Sequence, residues 1–373
     1  MLHNSFRLFT VRGIEVGVHY SWLIIFALVT WSLSVYVFPN VPGSPELSAI
    51  EYWVLGAITA VVMFASVLVH ELAHSFVARA KGLNPKSITL FIFGGVSNLS
   101  GEAKEASTEF LVAIVGPLMS FVLAGIFFAL STVVHEVHID LVVSYLFIIN
   151  VALGVFNLIP GFPLDGGRVL RAVLWGTTGN LRRATEWAAN VGKLVAYLMF
   201  AYAAYLLLNE QIISGLWTGA IAWFLHNAAS TSVQQLVFET RLKRVRAVDI
   251  LRADDTTVPP EMTVGELIDR YILPANRRAV PVAQDGKLIG IVTISDIANV
   301  PPESRGATAV GQVMGGTEKL HTVQADTKVL DAFALLGEHD LEQLPVMDGQ
   351  GFLGLLTRGD VARQLALREK LDA

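Results

Sequence analysis

Six apolar segments within the first 230 residues constrain the fold of this chain more than any other feature. Each is close to or longer than the roughly 20 residues that an α-helix needs to cross a bilayer. We place them at residues 20–38, 53–79, 109–134, 141–160, 188–208 and 211–229. The chain is 53% hydrophobic and only 16% charged, which is too apolar for an ordinary soluble protein. The first part of the sequence therefore predicts a multi-pass bundle of about six transmembrane helices.

The basic residues of this part predict its orientation. Residues 1–244 contain 14 Lys and Arg. All of them lie before the first segment, at or near the connections that follow segments two and four, or after segment six. The alternate connections, 39–52, 135–140 and 209–210, contain none. By the positive-inside rule, we expect both termini in the cytoplasm and the chain in the plasma membrane. No signal-peptide pattern precedes the first segment.

The remainder of the chain has a different composition. Residues 245–373 carry 13 basic and 19 acidic residues, which indicates a soluble and mildly acidic region. This balance argues against a nucleic-acid-binding surface. The chain contains no cysteine, so any metal ion must be held by nitrogen and oxygen ligands.

The second apolar segment contains the pattern H-E-x-x-H at His70–Glu71–Leu72–Ala73–His74. Residues four apart on a helix project from the same face, so His70 and His74 can bind one divalent metal ion, typically Zn²⁺. Glu71 is close enough in sequence to accept a proton from metal-activated water. A charged residue in an apolar helix is costly and usually marks a functional interior site. A soluble amphipathic helix with ordinary histidines is the competing interpretation.

The fourth segment ends in a stretch that cannot continue as a helix, Asn157-Leu-Ile-Pro-Gly-Phe-Pro-Leu-Asp165-Gly-Gly. Irregular backbone at membrane depth is tolerated only where it is buried in protein or lines a cavity. Asp165 is the one carboxylate in this stretch, and a catalytic zinc usually has three protein ligands. Turn formation by Asp-Gly-Gly explains the residues equally well, so the pattern leaves both interpretations open.

Between the second and third segments, residues 87–99 predict an apolar hairpin with Gly94–Gly95 as a turn or bulge. Such a hairpin in protein-lined membrane space could offer an unpaired strand edge to an extended peptide. A hairpin that only packs on the helices is the alternative.

The pairing of H-E-L-A-H in one span with N-L-I-P-G-F-P-L-D-G-G in a later one resembles the site-two protease family of intramembrane metalloproteases. The resemblance covers roughly residues 1–230. It implies that His70, His74 and Asp165 bind one Zn²⁺ per chain and that Glu71 is the general base. It also implies that Asn157 lies by the active site, where it steadies the oxyanion or the substrate backbone.

The resemblance further implies that Phe93, Gly94 and Gly95 belong to a membrane-associated hairpin that aligns the substrate as a strand. The expected function is a zinc-dependent intramembrane endopeptidase that cleaves transmembrane segments of membrane-tethered regulatory proteins. Two alternatives come from other classes of protein. One is a transporter or channel that is regulated by the soluble region and whose polar intramembrane residues line an ion path. The other is a catalytically inactive membrane adaptor.

The soluble region contains an internal repeat with an offset of 64 residues. Residues 279–297 recur as 344–361, and each copy predicts a strand, a turn, a strand and a helix, preceded by an amphipathic helix. This pattern resembles a tandem pair of CBS domains with an α/β fold. We expect a membrane domain at 1–235, a linker at 236–248 and the pair at 249–373, with repeats of about 249–305 and 311–370.

CBS pairs commonly bind adenine nucleotides, and the resemblance implies that Thr293, Asp296, Thr357 and Asp360 contact ATP or AMP. A hydroxyl and a carboxylate at a helix N-terminus suit a phosphate and a ribose. The same residues serve equally well as helix caps. A dimerising role, with a homodimer formed through the CBS domains, or a purely regulatory role is the alternative to ligand binding.

Overall fold

The computed structural model describes residues 5–42, 47–92, 94–100, 103–134, 136–251, 256–275, 277–316, 318, 320–349 and 351–371. Its internal contacts divide the chain after Leu236 into two compact units. The first unit is mainly helical and holds one mixed sheet, whereas the second holds two small sheets with short helices.

Long helices dominate the described part of the first unit. They are α1 (Ser21–Ser32, continued by a π-helical turn at Leu33–Val37 and a 3-10 turn at Phe38–Asn40), α2 (Ala49–Ala80), α3 (Ala106–Val133), α4 (Val137–Asn157), α5 (Asp165–Thr178), α6 (Leu181–Leu208) and α7 (Ile212–Leu242). Helix α2 begins with a capping box, because the Ser48 hydroxyl accepts from the backbone N–H of Glu51 and the Glu51 carboxylate accepts from that of Ser48.

Five helical stretches of the described chain are long and apolar enough to cross a membrane, namely Ser21–Asn40, α2, α3, α4 and α6. They confirm the first five predicted segments. The sixth segment, 211–229, forms the first part of α7, which is less apolar because it includes polar residues such as His226 and Asn227. The chain is therefore a multi-pass α-helical membrane protein.

The break between α4 and α5 is better defined than the sequence predicted. Helix α4 ends at Asn157, before the two prolines, and a new 14-residue helix begins at Asp165. The sequence offered a turn at Asp165-Gly-Gly as one interpretation and did not predict a helix here, since Gly166 and Gly167 are weak helix formers. Helix α5 contacts α3 and α6, so tertiary packing stabilises a helix that local propensity does not favour.

A four-stranded sheet contains the predicted hairpin. Its strands are β1 (Ser5–Val11), β2 (Ile14–His19), β3 (Asn84–Phe91) and β4 (Gly94–Ser100), in the order β1-β2-β3-β4. Strands β3 and β4 are antiparallel, which confirms the hairpin, and Gly95 lies within β4 opposite Leu90. Strand β2 pairs in parallel with β3. Its alternate residues Val16 and Val18 are buried, as are Ile88 and Leu90 of β3.

The second unit repeats one arrangement of strands and helices. Its first sheet has the order β5-β6-β7, formed by Ala279–Gln284, Lys287–Thr293 and Gly315–Gly316. Its second sheet has the order β10-β9-β8, formed by Gly351–Thr357, Gln343–Asp348 and Val323–Gln324. In each repeat an antiparallel hairpin, β5–β6 or β9–β10, leads directly into a helix, as the sequence predicted.

The helices of the second unit complete two apolar cores. They are α8 (Ala247–Ile250), α9 (Val264–Leu267), α10 (Leu273–Ala275), α11 (Ile294–Ala298), α12 (Val310–Val313), α13 (Val329–Glu338) and α14 (Arg358–Leu371). One core surrounds Val280 and Val292, and the other surrounds Leu344 and Leu356. Residues between Leu242 and Ile250, which include part of the predicted linker, pack in the second of these cores.

Candidate metal centre

Helix α2 presents two histidines to the interior of the first unit. The side chains of His70 and His74 lie one turn apart on the same face, and they are only 3% and 4% exposed. Their Nε2 atoms are 3.2 Å apart. The H-E-x-x-H spacing therefore brings two potential ligand atoms together in a buried position.

A carboxylate from another part of the chain completes the group. Oδ2 of Asp165, the first residue of α5, lies 3.1 Å from Nε2 of His70 and 3.0 Å from Nε2 of His74. Within the described residues, these three form a cluster of His and carboxylate side chains whose ligand atoms lie within 4.8 Å of one another. The fold therefore brings Asp165 next to the H-E-x-x-H motif, although it lies 91 residues after His74 in the sequence.

The two glycines after Asp165 are required by close backbone packing. A Cβ at Gly166 would overlap the carbonyl oxygens of Leu158 and Ile159, and a Cβ at Gly167 would overlap the backbone at Gly161–Phe162. The first turn of α5 therefore lies directly against the loop that follows α4. This contact fixes where α5 begins and hence where Asp165 is held.

The outer nitrogens of both histidines have hydrogen-bond partners on α3. Nδ1 of His74 donates to the carbonyl of Val112 at 2.6 Å, and Nδ1 of His70 lies 2.8 Å from Oγ of Ser120. A carbonyl can only accept, so Nδ1 of His74 carries the proton and leaves the Nε2 lone pair available in the neutral ring. Such partners orient a metal-binding imidazole and raise its basicity.

The sequence did not lead us to predict that helix α3 forms part of this site. Val112, Gly116 and Ser120 are spaced by four residues and form one face against the histidines. A Cβ at Gly116 would lie 2.7 Å from Nε2 of His70 and closer still to Nε2 of His74. Small residues at Gly116 and Ser120 in an apolar helix indicate close packing, and that was the signal available in the sequence.

The chemistry of the donor set fits a zinc ion. Two imidazole nitrogens and a carboxylate oxygen lie 3.0–3.2 Å apart. Ligand atoms around a tetrahedral zinc lie roughly 3.3 Å from each other. With these three residues as ligands, a bound zinc would keep a fourth position for water, as catalytic zinc sites do.

Glu71 is half-buried and lies under the hairpin. A Cβ at Gly95 of β4 would lie 2.5 Å from Cγ of Glu71 and 3.2 Å from its Oε1. Strand β4 therefore passes directly over the carboxylate beside the histidine pair. Gly94 opens β4 with a φ of +128°, which favours glycine, and Phe93 lies outside the described residues.

Asn157 is the last residue of α4 and is half-buried. Its side-chain Nδ2 donates to the carbonyl of Leu153 in its own helix at 3.1 Å. Asn157 thus stands at the break that leads to Asp165, and its described hydrogen bond lies within α4.

The four predicted nucleotide-binding residues of the second unit form two matching caps. The hydroxyls of Thr293 and Thr357 donate to the carboxylates of Asp296 and Asp360, each at 2.6 Å, three residues later. Thr357 and Asp360 also line a cavity of about 580 Å³ between the repeats, whose lining does not include Thr293 or Asp296. The structure therefore shows capping in both copies and a cleft beside the second.

Comparison with known proteins identifies the families to which both parts of the chain are similar. Residues 58–140 and 133–200 match peptidase family M50, and residues 247–303 and 310–367 match the CBS domain. Rip3 of Mycobacterium tuberculosis, a zinc metalloprotease by name, is 36% identical over 370 residues, which cover 97% of this chain and 93% of Rip3. The zinc metalloprotease MJ0392 of Methanocaldococcus jannaschii is 30% identical, covering 99% of this chain and 98% of its own.

Among solved structures, the site-2 protease from Methanocaldococcus jannaschii is similar, with 31% identity and a TM-score of 0.44. The match covers 61% of this chain and 95% of that one. The relatives do not favour the transporter or channel alternative, since they are named as metalloproteases. This chain belongs to peptidase family M50, the site-2 protease family of zinc metalloproteases, and it carries a C-terminal pair of CBS domains.

Proposed function

We propose that this protein is a zinc-dependent intramembrane endopeptidase that cleaves transmembrane segments of membrane-tethered regulatory proteins. The observation that carries the proposal is the convergence of His70, His74 and Asp165 beside Glu71. In this proposal the three ligands hold one zinc ion per chain. When bound, zinc supplies Lewis-acid activation of water and of the scissile carbonyl.

The residues of the chain supply the remaining steps. Glu71 accepts a proton from the attacking water and delivers it to the leaving amine. Val112 and Ser120 hold the outer nitrogens of the two histidines, so that their Nε2 atoms face Asp165. Asn157 steadies the oxyanion or the substrate backbone, for which its amide has a second N–H besides the one that bonds to Leu153.

The hairpin is proposed to present the substrate. A transmembrane helix satisfies its own backbone groups, so the scissile segment must unwind into an extended form before it is cleaved. Strand β4 is the last strand in the order of its sheet, and an extended peptide can add to such an edge. Because Gly95 lies over Glu71, a peptide paired with β4 near Phe93, Gly94 and Gly95 would run close to the carboxylate.

The CBS pair is proposed to modulate cleavage, with ATP or AMP bound near Thr293, Asp296, Thr357 and Asp360. This proposal is supported by the matching Thr–Asp pairs of the two repeats and by the cavity that Thr357 and Asp360 line. We also propose that both termini are cytoplasmic, that the plasma membrane is the location and that the CBS domains form a homodimer.

The proposal is tested by zinc analysis and cleavage assays on detergent-purified protein. Wild type should contain about one zinc per chain and cleave a single-span reporter with helix-weak residues in its membrane segment. His74→Ala and Asp165→Ala should lose zinc and activity, whereas Glu71→Gln should keep zinc and lose activity. Folded wild type without zinc, after expression with the metal supplied, would refute the proposal. Zinc without cleavage of any tethered reporter would favour the inactive adaptor.

A further inference from the structure

The turn between β1 and β2 lies against the last turn of α2. Val11 and Ile14 face each other across the hairpin, so Arg12 and Gly13 form a two-residue turn. Both have positive φ angles, +47° and +81°, as a type I′ turn requires. Nη1 of Arg79, an exposed residue in the last turn of α2, donates to the carbonyl of Arg12. A directional bond therefore joins the end of the helix to the hairpin.

Two further contacts hold this turn close to the helix. A Cβ at Gly13 would lie 3.2 Å from Nη2 of Arg79, so little space separates the turn from the guanidinium. The guanidinium carbon of Arg12 lies 5.8 Å from the ring centroid of Phe76, which is within the range of a cation–π contact. Arg79 thus contacts the backbone of the turn, while the arginine of the turn contacts the helix. These contacts fix the turn at one place along α2.

Strand pairing connects this turn to the strand that passes over Glu71. Strand β2 begins directly after the turn and pairs in parallel with β3, where Val18 lies opposite Leu90. Leu90 in turn lies opposite Gly95 of β4. The hydrogen-bonded ladder of one sheet therefore runs from the turn at the end of α2 to the glycine over Glu71.

Helix α2 holds both ends of this connection. Glu71 and Arg79 are eight residues apart on it, which is about 12 Å along the helix axis. Strands β3 and β4 contact α2, and the buried residues of β3 include the apolar Ile88 and Leu90. Apolar burial is non-directional, whereas a hydrogen bond has a preferred geometry. The bond from Arg79 therefore favours one position of the sheet along the helix.

From this connection we infer that Arg79 is a positioning residue of the peptidase. It sets the position of the sheet along α2 and thereby selects which peptide bond of a substrate strand paired with β4 reaches Glu71. An extended peptide advances about 3.3 Å per residue, so a shift of the sheet by that distance brings the next peptide bond to the carboxylate. The inference rests on the proposed protease function and on substrate pairing with β4.

The position of the cleaved bond in the single-span reporter tests this inference, because a loss of stability alone does not move it. Mass spectrometry of the products should show one cleaved bond for wild type and for Lys81→Ala, which removes a nearby positive charge. Arg79→Ala should also cleave neighbouring bonds, with zinc content unchanged and kcat lower by about tenfold or more. Arg79→Lys can still donate to the carbonyl and should restore most cleavage at the wild-type bond.

Gly13→Ala tests the same contact from the hairpin. Its Cβ would press on Arg79, and the φ of +81° would strain any side chain there. Gly82→Ala is matched for this strain, since Gly82 has the same φ and a Cβ there meets nothing within 4 Å. Gly13→Ala should therefore cleave neighbouring bonds, whereas Gly82→Ala should lower stability and still cleave the wild-type bond.

A second measurement does not depend on cleavage. The chain contains no cysteine, so spin labels can be attached at Thr10→Cys of β1 and Ala65→Cys of α2, both at exposed positions. Pulsed electron paramagnetic resonance on the full-length protein in detergent should give one narrow distance distribution when Arg79 is present. The distribution should be broader or shifted with Arg79→Ala and unchanged with Lys81→Ala.

Two results would overturn the inference and leave the protease function standing. One is an equal distance distribution with and without Arg79. The other is cleavage at the wild-type bond alone by both Arg79→Ala and Gly13→Ala. Zinc-loaded wild type that cleaves no tethered reporter would instead refute the proposed function, and with it the selection of the cleaved bond, even if the labels show that Arg79 fixes the sheet.

Discussion

Gly116 of α3 lies so close to His74 that no side chain can be accommodated between them. A Cβ at this position would overlap Nε2 of His74 and lie 2.7 Å from Nε2 of His70. The backbone of α3 therefore forms one wall of the space into which the two histidines direct their ligand atoms. Gly116 therefore leaves room for the two histidine rings, in addition to allowing close packing of α3.

We expect Gly116→Ala to abolish zinc binding, because the added methyl group would displace the His74 ring from Asp165. Elemental analysis of the purified variant should show a fall from about one zinc per chain to a small fraction. Gly125→Ala on the same helix is the control, since a Cβ there meets nothing within 4 Å. A full complement of zinc in Gly116→Ala would show that α3 can move away from the histidines at little cost.

Ser120→Ala should weaken zinc binding without abolishing it. Oγ of Ser120 lies 2.8 Å from Nδ1 of His70, and loss of such a partner typically costs about 10–100-fold in metal affinity. Competition with a chelator of known affinity measures the change. Ser131→Ala is the matched control, since the hydroxyl of Ser131 near the end of α3 makes an exposed hydrogen bond to the carbonyl of Phe128. Equal zinc affinities of the Ser120→Ala and Ser131→Ala variants would show that Ser120 does not contribute to zinc binding.

The three side chains of the candidate metal site could be singled out from the sequence because their chemistry is unusual in its surroundings. His70 and His74 in an apolar segment, and Asp165 in a broken one, are costly unless they serve a purpose. The transmembrane segments and the CBS repeats could also be predicted, because hydropathy and internal repetition can be read directly from the sequence. The polar partners of the histidines were not predictable in this way.

Ser120 shows why. A serine in a membrane helix usually donates to its own helix, as Ser66 does to the carbonyl of Val62, and only the fold reveals that Ser120 meets a histidine 50 residues away. The parallel pairing of β2 with β3 is likewise long-range. Helix α5 begins with two glycines, so its position depends on contacts with the loop after α4 and not on helix propensity.

Glu109 and Arg171 form a buried ion pair that joins α3 to α5. Nε of Arg171 donates to Oε1 of Glu109 at 2.6 Å, and Glu109 is only 2% exposed. Removal of one partner from a buried pair leaves an uncompensated charge and costs about 3–5 kcal/mol. We therefore expect Glu109→Gln to lower the unfolding midpoint in detergent strongly.

The exposed pair Arg182–Glu186 on α6 provides the comparison for this prediction. Glu186→Gln should cost less than about 1 kcal/mol, because solvent screens exposed pairs. Replacing both Glu109 and Arg171 by Leu should restore much of the stability lost in Glu109→Gln, since no buried charge remains. Similar midpoints for Glu109→Gln and Glu186→Gln would mean that the buried pair contributes little to joining the two helices.

Gly95→Ala should separate zinc binding from cleavage. The added Cβ would lie 2.5 Å from Cγ and 3.0 Å from Cδ of Glu71, so the carboxylate must shift away from its position beside the histidines. A displacement of about 1 Å at a reacting group can cost about 10²-fold in rate. We expect zinc content to stay at the wild-type level and cleavage of the tethered reporter to fall by this order. Gly176→Ala, where the new Cβ makes only an ordinary contact, should retain activity.

If His70, His74 and Asp165 hold zinc as proposed, removal of the metal should destabilise the first unit, because only the fold brings these three side chains together. A ligand that binds only the native state stabilises it by about 4 kcal/mol at a thousandfold excess over its Kd. Chelation should therefore lower the unfolding midpoint of wild type. Asp165→Ala should show no such shift, since it has no complete site to empty. If chelation lowered both midpoints equally, zinc would stabilise the protein elsewhere, and the assignment of this cluster as the metal centre would fail.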